Sequence, residues 1–146
     1  MLRGASALGR LHALWTLAGL DTLDADTKFA ALDDADERVR AAAIRLSERG
    51  LDARQQIALL AKLGQAANDR SEMVRLQATL TASALRQPEA LPLVARLATA
   101  NEDALFQIAA LTGLRGRELE FVRLLLAPSP DRKSGGDHQR RLVTLA

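Results

Sequence analysis

The residues able to do chemistry in this chain are few and scattered. His12 and His138 are its only histidines, far apart in sequence and without neighbouring His–Glu pairs. Neither has the company that a metal site or a general base needs. Cysteine is absent, which excludes disulfides, thiolate nucleophiles, thiolate metal sites and covalent c-type haem attachment within the chain. The acidic group Asp33, Asp34, Asp36 and Glu37 lacks the loop spacing of a calcium site. Carboxylates gathered there suit a helix start, where they cap free amides and complement the helix dipole. Gly135 and Gly136 follow Arg132 and Lys133, but no strand precedes them and no Lys-Ser/Thr pair follows, so they form no phosphate loop. No nucleophile stands with a base. The expectation is a chain with no catalytic, cofactor-binding or metal-ligating residues.

What does recur is arginine after an acidic turn. The stretch Asp33–Ile44 opens with acids and continues Val39-Arg40 into small residues. It returns at Asn68–Ala78 with Val74-Arg75, and a degraded copy runs from Asn101 to Ala109. Repetition at roughly 30–35 residues marks a helical solenoid. Aligning the copies puts Ala13, Ala43, Ala78, Ala109 and Val143 in one position, with Arg10, Arg40, Arg75, Phe106 and Arg140 three residues earlier. The four arginines are expected to be structural repeat positions. Their stems lie beside packed valines, and their guanidinium groups reach the acidic turns of their own or adjacent repeats.

The elements that hold these positions are helices. Apolar spacing of three and four residues predicts helices over 5–19, 25–33, 36–48, 52–63, 71–86, 88–99, 103–113, 118–127 and 137–145. Gly50 is a C-terminal stop, Asp52 and Ser71 are caps, and Pro88 fits a first helical turn. Residues 128–136 are the one segment expected to lack structure. The fold class is all-α, a right-handed superhelix of about four helix pairs. It forms a single domain over 1–146, expected to be cut from a longer protein. The second helices of the pairs are expected to line the concave side. There Arg45, Leu76, Gln77, Leu80, Gln107 and Leu111 form the candidate interaction surface. Trp15 aligns with Arg45, Leu80 and Leu111. It packs against a preceding repeat, against a neighbouring domain, or back into the core.

Composition narrows the partners. Three Phe, one Trp and no Tyr leave few platforms for stacking bases. Twenty basic residues are interleaved with eighteen acidic ones, for a net charge of +2, so no strong polyanion field is built. No apolar run approaches the roughly 20 residues that span a bilayer. The expected partners are proteins or neighbouring domains, with no nucleic acid and no membrane insertion.

The Asp-turn, the Val-Arg step and the small residues that follow resemble HEAT repeats, particularly the bacterial class of phycobilisome lyases. More narrowly, Arg10–Leu17 and Leu32–Arg40, with Val74–Gln77 and Leu111–Leu114, resemble the HEAT segment of large exported haem-binding proteins of planctomycetes. Those proteins join a sugar-dehydrogenase-like propeller, a HEAT array and a c-type cytochrome domain. The resemblance implies a non-catalytic scaffold in an exported or periplasmic setting. The phycobilisome likeness implies the alternative, a subunit of a chromophore-lyase-like enzyme. Neither the propeller nor a haem-attachment motif lies in this chain, so neither activity is carried over.

Overall fold

A computed structural model describes residues 6–101 and 103–126. Eight helices follow one another: α1 Ala7–Gly19, α2 Ala25–Leu32, α3 Glu37–Leu46, α4 Ala53–Ala66, α5 Glu72–Ala84, α6 Ala90–Ala100, α7 Ala104–Thr112 and α8 Glu118–Leu126. There is no strand among the described residues. The expected helix at 137–145, with His138, Arg140 and Val143, and the expected loop at 128–136 lie outside them.

Local chemistry sets the helix starts. The side chains of Ser6, Asp24, Asp36, Asp52 and Asp103 each accept an amide hydrogen bond from the first turn. At α4 the cap is reciprocal, because Gln55 Oε1 accepts from the Asp52 amide. Ser71 holds the cap position of α5 but makes no side-chain cap bond; its own amide donates to Asp69 Oδ1 instead. Pro88 lies in the turn before α6 rather than in its first helical turn, since α6 begins at Ala90.

The helices form an all-α solenoid of stacked pairs. Helices α2, α4, α6 and α8 make one layer and α1, α3, α5 and α7 the other, each packing on its neighbours within the layer and on its pair mate across it. The core between the layers is aliphatic: Leu14, Val39, Leu59, Leu63, Val74, Leu91, Leu97 and Leu114 are among its most deeply buried side chains, with Phe106. Small residues let the second-layer helices approach closely. Ala43, Ala78 and Ala110 are all fully buried where α3, α5 and α7 meet.

That last set corrects the repeat register. Ala110, not Ala109, is the partner of Ala43 and Ala78, and Phe106 occupies the core position of Val39 and Val74. The caps agree, since Asp36, Ser71 and Asp103 each stand seven residues before Ala43, Ala78 and Ala110. Phe106 therefore does not replace the repeat arginine; Gln107 does.

Candidate interaction surface

Two rows of side chains run across the second layer, and they do different things. The first is a ladder at the turns. Arg10 donates a fork of two 2.7 Å hydrogen bonds to Asp34, in the turn of the following repeat. Arg40 does the same to Asp69, at 2.9 and 2.8 Å, and its third nitrogen donates to the carbonyls of Asp34 and Ala35 in its own turn. Arg75 donates to the carbonyls of Asp69 and Arg70, and at 3.3 Å to Asn101, an amide where the other rungs have a carboxylate. Arg40 and Arg75 thus fix both their own turn and the next one, and Arg10 fixes the next. The aspartates are held from both sides, because Asp34 and Asp69 also accept the amides of Asp36 and Ser71. Arg140 lies outside the described residues.

The ladder's electrostatics follow from its geometry. The Arg10 guanidinium holds the Asp34 carboxyl below its ordinary value of 3.8. At Asp69 burial pushes the carboxyl up, but Arg40 and the Ser71 amide outweigh it and the net direction is down. Asp36, bound to Arg38, is lowered to about 2. Groups whose carboxyl is depressed by folding stabilise the fold above their unfolded value and lose that contribution as pH falls through the folded one. Stability should therefore be level near neutrality and fall as pH drops below about 4. Thermal melts across pH 2–7 check this, and Asp69→Asn should flatten the acid limb.

The second row faces solvent. Leu8 and Trp15 on α1, Arg38 and Arg45 on α3, Met73 and Leu80 on α5, and Leu105 and Thr112 on α7 hold two equivalent positions, seven residues apart and so on one helix face. Trp15, Met73 and Leu105 are 49%, 48% and 44% exposed. Arg38 and Arg45 extend over the surface in ion pairs with Asp36 and Glu48. The first-layer helices α2, α4 and α6 expose only one large apolar side chain among the described residues, Ile57.

The six residues expected to form one surface are divided by the structure. Arg45 is exposed in the second row, while Leu80 holds the equivalent position on α5 but is half-buried. Leu76 and Gln77 are half-buried, turned toward the joints between repeats, and the Gln77 amide donates to Thr81. Gln107 is half-buried at the ladder position. Leu111 is exposed among the described residues, as is Ile108, whereas its equivalents Ile44 and Thr79 are buried under the following repeat. Sequence reasoning missed Leu8, Met73 and Leu105. Their signal was available in the seven-residue spacing from Trp15, Leu80 and Thr112.

Trp15 and Arg45 also flank a cleft of about 650 Å³ at the end of the array, where α1 and α3 finish and Lys28 of α2 reaches between them. His12 is exposed, and no group of three or more His, Cys, Asp or Glu among the described residues is placed to hold a metal. The acids Asp33, Asp34 and Asp36 are engaged by Lys62, Arg10 and Arg38. No described helix is long and apolar enough to cross a membrane.

A family model of HEAT repeats matches residues 25–115, more than half of the chain and the whole of the three pairs α2–α3, α4–α5 and α6–α7. No curated protein and no solved structure matches the chain.

Proposed function

We propose that this chain, which belongs to the HEAT-repeat family, is a non-catalytic scaffold that binds a protein or a neighbouring domain along the exposed row of its second-layer helices. HEAT repeats generally serve as protein-interaction scaffolds, and solenoids offer extended surfaces of this kind. The carrying observation is the register of exposed apolar side chains: Leu8, Trp15, Met73 and Leu105 hold equivalent positions along one layer, while α2, α4 and α6 expose Ile57 alone among described residues and the exposed apolar residues of α8 (Leu119, Val122, Leu124 and Leu126) hold no such repeat position. Exposed apolar side chains repeated in register along one layer are the kind of surface that marks an interaction site. Arg38 and Arg45 interrupt it with charge and set a complementarity that the partner must meet.

The resemblance of Arg10–Leu17 and Leu32–Arg40 to the HEAT segment of exported haem-binding, dehydrogenase-like proteins extends this proposal. On that reading the partner is a neighbouring domain of a longer exported chain, and the haem and redox chemistry belong to that domain. Affinity capture from nuclease-treated lysate tests the scaffold reading. The wild-type chain should retain a protein that a Met73→Glu, Leu105→Glu variant of equal thermal stability loses. Retention by both chains would contradict it, as would capture abolished by nuclease.

A further inference from the structure

The cleft beside Trp15 contains a buried ammonium whose acidic neighbour, Asp24, acts on it only through space, beyond ion-pair distance. Lys28 is 5% exposed, and its ammonium donates one hydrogen bond, 2.8 Å to the Arg49 carbonyl. An ammonium carries three donors. No carboxylate among the described residues lies within ion-pair distance of it. Lys28 reaches this place because Gly50 turns with a positive φ of 69° and has no side chain; a Cβ there would stand 3.1 Å from the ammonium nitrogen.

Two of the neighbouring acids, Glu48 and Asp24, are already engaged. Glu48 accepts from Arg45 with one oxygen and from Thr81 with the other. Asp24, four residues before Lys28, accepts the Thr27 amide at the start of α2. Asp21, which is exposed, lines the same cleft as Lys28 and Arg49 without an ion pair to either. Leu23, Leu46 and the Trp15 ring supply an apolar lining around the cations. A buried cation with open donors is costly unless an anion meets it. The volume lies in the range of clefts that enclose a ligand group, and the lining is more polar than apolar, with Lys28, Arg45 and Arg49 outnumbering Asp21 and Glu48.

From this arrangement we infer that the cleft is a carboxylate-binding pocket, taking an aspartate or glutamate side chain of an apolar-flanked segment in the partner protein. The carboxylate meets Lys28 and Arg49, and the flanking apolar residues lie on Trp15, Leu23 and Leu46. This inference rests on the scaffold reading and names the chemistry of one of its contacts.

Trp15 is the only tryptophan in the chain, so its fluorescence reports the pocket directly. The probe is the peptide acetyl-Leu-Glu-Glu-Leu-amide, with acetyl-Leu-Gln-Gln-Leu-amide as its uncharged match. Titration of the full chain should give a saturable change with the acidic peptide and binding weaker by roughly tenfold or more with the amide peptide. Lys28→Met keeps the stem and removes the charge; it should weaken the acidic peptide by a similar factor. Should Lys28→Met fail to fold, Arg49→Gln decides, because it leaves the backbone carbonyl and an exposed side chain in place. A flat titration overturns the pocket, and so does equal binding of the two peptides or unchanged binding by the folded variants. None of these outcomes touches the scaffold reading, which is tested at Met73 and Leu105, outside the cleft.

Discussion

Arg40→Ala should lower the unfolding midpoint by roughly 6–12 °C, while Arg38→Ala, two residues away, should barely move it. The two side chains carry the same charge and each binds an aspartate, so the difference isolates burial. Arg40 and Asp69 keep only 11% and 15% of their side-chain surface exposed, and Arg40 also satisfies two turn carbonyls. Removing it strands a partly buried carboxylate and uncouples two repeats, at a cost of about 3 kcal/mol. Arg38 is 53% exposed, and its solvent-screened pair with Asp36 contributes little. Arg75→Ala should fall between them, because Asn101 offers its guanidinium a neutral oxygen at 3.3 Å. Thermal melts of the three variants at pH 7 give the order. Equal effects for Arg38 and Arg40 would mean that the ladder does not join the repeats.

Gly113→Ala should destabilise the chain by about 1–3 kcal/mol, the usual cost of overpacking. Gly113 closes α7 against α5, and a Cβ there would press on the backbone of Ser83, 2.6 Å from its carbonyl oxygen. The obstacle is main chain, so a rotamer change cannot relieve it, and α7 must lift away from α5. Gly19→Ala is the matched control. Nothing lies within 4 Å of a Cβ at Gly19, so the same substitution there should be neutral or stabilising by under about 1 kcal/mol. Chemical denaturation of both variants measures the contrast. A stable Gly113→Ala with an unstable Gly19→Ala would contradict the packing of α5 on α7.

The helices are legible in the sequence where apolar spacing and a capping residue agree, as they do at α1, α2, α3, α4 and α7. Apolar spacing gives the body of α3 and α4, and Asp36 and Asp52 mark their starts. The register of the fourth copy is harder to read, because Leu105 and Phe106 are adjacent and both suit a core position. Only burial separates them: Leu105 is exposed and Phe106 is not. Counting from the cap Asp103 instead of from the apolar residues would have placed Ala110 with Ala43 and Ala78. The ladder was half visible. The spacing of Arg40 from Asp34 and Asp69 admits both turns, and the structure uses both, taking carbonyls from the first and the carboxylate from the second. Lys28 gave no sequence signal at all. Its burial depends on Gly50, which lies on a different element and is brought beside it only by the pairing of α2 with α3.

Two side chains of the exposed row are suited to footprinting: Trp15 and Met73 are oxidisable and about half exposed. The direct measurement is hydroxyl-radical footprinting of the chain alone and with its captured partner. Oxidation of Trp15 and Met73 should fall together in the complex, while modification of Ile57 on the opposite layer stays the same. Trp15 and Met73 as reactive in the complex as in the free chain, with protection at Ile57 instead, would contradict the assignment of the binding surface to the second-layer helices.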